Sequence, residues 1–448
     1  MTGGDVHQPH NQHDPPPQGK HEGAIPSKSQ SKPVEKRRRL SSQKLVYLFS
    51  ESQSKKRSRL YYRNFVRMPP RIVYLDYAAS APLDPEVLEV MRPYLEAVGN
   101  PSSTHAAGRF LRTALEEARQ TIADLLGAAP GEIVFTSGGT EADNHALRKA
   151  IDTFNISTIL FNPTEHHAVL HTIEDLVHQG KIEAHPIAID TYGRINLNHL
   201  EELLKKHPKA LVSVMYANNE IGTLQPVREI AVLCQRYGAL YHCDTVQVMG
   251  LGWVRVDEWP VDFLAASAHK FYGPKGVGFM YRRRPIKSLI TGGAQERGQR
   301  AGTENIASIV GMAFALQKAY KQKDSYLKHL STLKAEALSL LQSLLPEARI
   351  NGDPSPAGSH PGILNFYLPP EKADDLLLVH LDLAGVCASG TSACASGSGH
   401  PSHVLEALGL PAEAAMRAIR LSWGWGSEKT HLELAIQTLR QSLLSPTA

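Results

Sequence analysis

The stretch EIVFTSGGTEADNHALRKA, residues 132–150, runs from an apolar strand through a Ser-Gly-Gly turn into a helix start. The same alternation extends on both sides of it. Residues 84–97 and 107–126 have helical periodicity, as does VREIAVLCQRYG, whereas STILFNPTEHH, LVSVMYANNE, LYHCD, VDFLAASAHK and GVGFMYRRR read as strands or strand-loop units. Short strands alternating with helices predict an α/β fold with a mixed, mostly parallel sheet flanked by helices. After about residue 320 the texture changes to a long helix (roughly 324–345), short strands in RINGD and GILNFYL, further helices and a late strand in AIRLSWG. This reads as a smaller α+β domain. The expected organisation is therefore an N-terminal arm (1–70), a large domain (71–325) and a small C-terminal domain (326–448).

Composition narrows the class. The 448 residues, 42% hydrophobic and 21% charged, suit a soluble globular protein too long for one ordinary core. Residues 1–70 carry 14 Lys/Arg against 5 Asp/Glu, and the rest of the chain carries 34 against 39. The basicity belongs to the arm, so a nucleic-acid-binding body is not expected. The arm holds two basic clusters, Lys36–Arg39 and Lys55–Arg59, in a Pro-, His- and Ser-rich composition that cannot bury enough apolar surface to order itself. Met68, just before the globular pattern begins, is an alternative start. Four cysteines without CxxC spacing suit a reducing compartment. No run is long and apolar enough to span a bilayer. The expected location is cytoplasmic, with mitochondrial or nuclear targeting by the arm as the alternatives.

Several short stretches carry chemistry. SAHKFYGPKG, residues 267–276, puts Lys270 just after an apolar strand, flanked by Ser267 and His269; alone, it reads equally as a surface lysine. SGGTEADN, residues 137–144, sets two glycines and Thr140 at a helix start. Free backbone N–H groups and the positive end of the helix dipole suit a phosphate there, although many such turns only reverse the chain. In HCDTVQVMG, residues 242–250, Asp244 follows a strand and either caps the next segment or pairs with a pyridinium nitrogen. EHHAVLH, residues 165–171, offers His166, His167 and His171. No carboxylate or thiol completes a metal set at ligand spacing, so no metal is expected. ASGTSACASGSGHPS, residues 388–402, surrounds Cys394 with linker-like residues, a setting in which a thiol moves rather than packs. A lysine, a phosphate turn, a strand-end aspartate and a histidine in an α/β chain are together the equipment of a pyridoxal-phosphate enzyme.

YLDYAASAP, NPSSTHAAGR, IVFTSGGTEADN, TEHHAVL, ANNEIGTLQPV, CDTVQ, SAHKFYGPKGVG, ERGQRAGTENI and SGTSACASGSGHPSHVLEALG occur in that order and resemble the signature segments of the NifS/IscS-type cysteine desulfurases. The resemblance runs from about Ile72 to about residue 440. It implies the fold-type I architecture of pyridoxal-phosphate enzymes and a homodimer with active sites at the subunit interface. Position by position, it makes Lys270 the lysine that carries the cofactor, and Gly139 and Thr140 the phosphate turn, joined by Ser267 and His269. It further implies that Thr303 reaches the phosphate from the other subunit. Asp244 becomes the partner of the pyridinium nitrogen, Gln247 the ligand of the ring hydroxyl and His166 the imidazole stacked on the ring. Asn219 and Arg420 would hold the substrate carboxylate, and Cys394 would accept the sulfur. ASAP at 79–82 and SWGWGSE after Arg420 depart from the usual family pattern. The chain also ends at SLLSPTA, short of the tail that IscS-type members use for scaffold binding.

The expected reaction is conversion of L-cysteine to L-alanine with a persulfide left on Cys394. The sulfur would pass to an acceptor protein in iron–sulfur cluster assembly or tRNA thiolation. Alternatives on the same fold are a selenocysteine lyase and a cystine C–S lyase; a different class is a non-catalytic scaffold with a basic arm. Cys234, Cys243 and Cys387 read as structural.

Overall fold

The computed structural model describes residues 72–369, 376–390 and 401–444. The expected arm, and Cys394 with the Gly/Ser-rich segment around it, lie outside the described residues.

Seven strands form the large sheet: β2 (Ile133–Thr136), β3 (Thr158–Phe161), β4 (Glu183–Pro186), β5 (Leu211–Ser213), β6 (Leu240–Asp244), β7 (Phe263–Ser267) and β8 (Gly278–Arg282), in the order β2-β8-β7-β6-β5-β3-β4. β8 runs antiparallel to both neighbours and the remaining pairs are parallel. The mixed, mostly parallel sheet is as expected. β2, β5, β6 and β7 are buried along their whole length, as strands covered on both faces must be.

Alternate side chains feed two cores. Val134, Leu240, Phe263 and Met280 meet Ala146, Leu147 and Ile151 of α3 (Gly139–Phe154) and Val169 and Ile173 of α4 (His167–His178). Phe135, Tyr241, Leu264 and Phe279 point to the opposite face. There they join α1 (Pro85–Glu96), α2 (Ala106–Leu126), α5 (Leu197–Lys206), α6 (Val227–Tyr237), α7 (Ile306–Lys321) and α8 (Lys323–Leu344).

The C-terminal part builds a three-stranded antiparallel sheet in the order β12-β10-β9, from β9 (Arg349–Asn351), β10 (Ile363–Tyr367) and β12 (Ala418–Ser422). Its helices are α9 (Leu377–Leu383), α10 (His403–Ala407), α11 (Ala412–Met416) and α12 (Lys429–Leu444). β1 (Val73–Tyr74) pairs in parallel with β11 (Val386–Cys387), tying the first described strand to this part. The domain boundary expected near residue 325 falls at the start of α8. Among the described residues no helix is long and apolar enough to cross a membrane.

Candidate active site

Open α/β sheets bind ligands beyond the carboxyl ends of their parallel strands, and the cleft lies there. It has a volume of about 1010 Å³ and is lined by residues that follow five strands. Gly139 and Thr140 follow β2, His166 follows β3, Asn219 and Glu220 follow β5, Asp244 ends β6, and Ser267, His269 and Lys270 follow the core of β7. Gln247 and Arg420 complete the set. Of the expected site residues that are described, the cleft gathers all except Thr303. Thr303 lines a neighbouring hollow with Ser137, Gly276 and Arg300.

Each polar group has a fixed setting. Lys270 Nζ donates to the carbonyls of Ala78 and Ala79, in the loop after β1. Gln247 Nε2 donates to the same Ala78 carbonyl at 3.0 Å. His166 caps α4 by accepting the Ala168 N–H on Nδ1 at 3.1 Å. Burial, reinforced by the nearby Lys270 charge, pushes this imidazole down to about 4. At neutral pH the ring is therefore uncharged, and because Nδ1 is an acceptor its one proton sits on Nε2. His269 is likewise held down at about 4, first by burial and then by Lys270 and Lys275.

Asp244 is buried, and its carboxyl is lifted to about 7, first by burial and then by the neighbouring Asp143, against the Val246 N–H, His242 and Lys270. A cation placed against it would bring the carboxylate back to its charged form. At the other end of the cleft, Arg420 is buried on β12. It donates to Asp76 Oδ1 at 2.7 Å and to the Asn219 carbonyl at 3.0 Å, and its Nε has no hydrogen-bond partner among the described residues.

These residues fit pyridoxal phosphate. α3 begins without a side-chain cap, so its first N–H groups are available to an anion. A Cβ on Gly139 would lie 2.6 Å from Val246 Cγ2, so only glycine fits the turn. A buried carboxylate that gains from a nearby cation, and a buried guanidinium with an unused donor, match the ring nitrogen and an amino-acid carboxylate respectively.

Several residues of the site were not singled out by sequence reasoning. Asp143 Oδ1 lies 3.3 Å from His242 Nε2, both buried directly beside Asp244. Glu220 accepts the Ser402 hydroxyl at 2.5 Å, and burial lifts its carboxyl to about 7. His403 Nε2 bonds the Glu165 carbonyl at 2.9 Å, and its ring lies 4.4 Å from that of His167, which stacks on His171 at 4.7 Å. Ser389 exchanges two backbone hydrogen bonds with Arg420. Both flanks of the Cys394 segment are thus fastened to cleft residues.

Comparison with known proteins agrees with this geometry. Residues 73–433 match the aminotransferase class-V family. A cysteine desulfurase IscS of Dictyoglomus turgidum is 43% identical over 378 residues, covering 83% of this chain and 94% of the relative. A putative cysteine desulfurase IscS 1 of Bacillus subtilis is 41% identical over 373 residues, covering 81% and 96%. Among solved structures, a NifS-like protein superposes with a TM-score of 0.77 at 35% identity, covering 84% of this chain and all of that one. A structure described as SspA in complex with cysteine gives a TM-score of 0.67 at 29% identity, covering 78% and 98%. The fold and cleft are those of a pyridoxal-phosphate enzyme of fold-type I. The chain belongs to the class-V aminotransferase family, in its NifS/IscS-type cysteine desulfurase group.

Proposed function

We propose that the protein is a pyridoxal-phosphate-dependent cysteine desulfurase that converts L-cysteine to L-alanine and passes the sulfur through Cys394. The observation that carries this reading is the single cleft that unites Lys270, His166, Asp244 and the phosphate turn with Arg420 and Asn219. The cofactor, when bound, supplies an electron sink for an amino acid joined to it.

The protein's own groups do the rest. Gly139, Thr140, Ser267 and His269 would hold the phosphate, Asp244 would keep the ring nitrogen protonated and Gln247 would bond the ring hydroxyl. His166 would pack against the ring as an uncharged imidazole. Arg420 takes the substrate carboxylate in its planar fork, with Asn219 beside it. The amine of Lys270 removes the proton from the substrate Cα.

Cys394, as thiolate, attacks the substrate sulfur. The Sγ–Sγ bond forms as the Cβ–Sγ bond breaks; the electron pair left on Cβ takes up a proton, Lys270 returns the proton to Cα, and alanine leaves. Sulfur remains on Cys394 as a persulfide, ready for thiol exchange with an acceptor protein. Cys394 follows Ser389 by five residues, a reach of roughly 17 Å for extended chain, which supports its access to the cleft. The acceptor is a protein of the iron–sulfur scaffold or thiolation type. The position of Thr303 outside the cleft supports a homodimer in which this residue serves the other subunit's phosphate.

The test is an assay with L-cysteine on wild type and Cys394→Ala, counting alanine, sulfide and pyruvate. Alanine equal to the sulfur released, and lost in the variant, is expected. Pyruvate as product, or alanine formation indifferent to the substitution, would replace this reading with a lyase.

A further inference from the structure

The far edge of the large sheet, away from the cleft, carries three donors that the reaction does not use. β4 is the last strand, and its Glu183 and His185 are two residues apart, hence on one face. His207 ends α5, where its backbone N–H bonds the Leu203 carbonyl. The rings of His185 and His207 stack with centroids 4.5 Å apart at an interplanar angle of 29°. Glu183 Oε2 lies 3.7 Å from His185 Nε2, and one ligand atom from each of the three residues falls within 4.8 Å of the others. His185 Nε2 is buried without a hydrogen-bond partner among the described residues. Leaving such a nitrogen unsatisfied is costly, and a ligand that used it would remove that cost.

We propose that Glu183, His185 and His207 form a binding site for a divalent cation of the Zn²⁺ type. Two imidazoles and one carboxylate are borderline-to-hard donors that suit Zn²⁺, whereas Mg²⁺ and Ca²⁺ select oxygen alone. Two imidazoles bound to one tetrahedral ion at a metal–nitrogen distance of about 2.1 Å place their ring centroids roughly 5.3 Å apart, so the pair, now at 4.5 Å, would open by about 1 Å. Glu183 Oε2 and His185 Nε2, 3.7 Å apart, are within a few tenths of an ångström of the roughly 3.4 Å that separates two ligand atoms on a tetrahedral ion, and the exposed Glu183 side chain can make that adjustment. Water fills the remaining position. The bound ion would clamp the edge strand to the end of α5 and cover part of an otherwise open sheet edge. None of the three residues belongs to a ligand-spaced motif, so the site emerges only from the fold. The competing explanation is a simple ion pair between protonated His185 and Glu183, which requires neither His207 nor a metal.

Equilibrium dialysis of the full-length, cofactor-loaded protein against Zn²⁺ separates the two. Wild type should retain one more equivalent than the His185→Asn/His207→Asn double variant, since every other zinc-binding group of the chain is common to both. Glu183→Gln, which keeps both imidazoles, should weaken that equivalent by tenfold or more, and Zn²⁺ should raise the unfolding temperature of wild type more than that of either variant. Equal stoichiometry and equal thermal shifts in all three proteins would overturn the site. Neither result depends on cysteine turnover, so failure here leaves the desulfurase reading untouched.

Discussion

Asp244 carries the charge logic of the cleft, and its neighbours decide whether it can ionise. Asp143 is held well above the usual carboxylate range by burial, and His242 is pushed down to about 4 by the same cause. His242 Nδ1 lies 2.9 Å from Ser213 Oγ. Asp143 stands close enough to Asp244 to raise its carboxyl, and removing that neighbour's charge favours the ionised form of Asp244. Asp143→Asn, which keeps the shape of the side chain without its charge, should leave cofactor affinity within about threefold of wild type, under 1 kcal/mol. Asp244→Ala should cost about 3 kcal/mol, roughly a hundredfold in cofactor Kd, because a buried charge pair loses one member. Absorbance titration of stripped protein with pyridoxal phosphate reads both. Equal losses in the two variants would mean that Asp143 is the charged partner. Lys270, Asp244 and His166 were legible because each sits where an apolar run gives way to small polar residues, the signature of a strand end. Asp143 and His242 were not, because a polar residue within a helix or strand reads as solvent-facing until the packing is known. The Asp76–Arg420 pair bridges 344 residues and carries no local signal at all.

Most parallel strands were readable from their continuous apolar runs, and β8 reverses direction because the ten-residue connection after β7, residues 268–277 with its Gly-Pro-Lys-Gly turn, is too short for a parallel crossover. β4 was not readable: Glu-Ala-His-Pro has neither an apolar run nor alternation, and Pro is tolerated there because the strand is at the edge. The long helix α8 was expected, but not the lysine buried within it. Lys334 Nζ donates to Ser359 Oγ at 3.1 Å and to the Ile363 carbonyl, joining α8 to the small sheet. Burial pulls its amine down to about 7, against an opposing pull from Asp353, and burial, reinforced by the Lys334 charge, depresses the His360 beside it. The unfolded chain holds this proton up to about 10.4, so between about 7 and 10.4 the unfolded state binds more protons than the native one. The native state therefore gains stability as pH rises through that window, by at most about 1.4 kcal/mol per unit. Below about 7 the gain is absent. Urea unfolding across this range should show the slope in wild type and its loss in Lys334→Met. Tyrosine ionisation is common to both proteins and drops out of the difference.

Thr303 sets the largest question, because the role proposed for it lies beyond its own chain. The segment that carries it is pinned at two points. Arg119 and Glu296, both buried, form a two-pronged ion pair at 2.7 and 2.8 Å, and Glu296 also accepts the Phe135 N–H of β2. Arg300 grips Glu141, in the first turn of α3, at 2.9 Å. Both anchors lie beside the phosphate turn, yet Thr303 lines a separate hollow from the cleft. A segment anchored beside its own phosphate turn, with its hydroxyl outside the cleft, suits the proposal that Thr303 completes a second copy's site, which an isologous dimer would provide twice. Subunit mixing tests this directly. Lys270→Ala homodimers should be inactive, and Thr303→Ala homodimers should bind the cofactor weakly. In a hybrid of the two, the Thr303→Ala subunit keeps its own Lys270 and receives an intact Thr303 from its partner. That site is complete, while the other lacks both groups. Random reassociation of equal amounts makes half the dimers hybrids with one good site each, so about a quarter of wild-type activity should return. If Thr303 instead acts within its own chain, every site lacks one group or the other. Mixing would then restore nothing beyond the residual rate of the Thr303→Ala subunits.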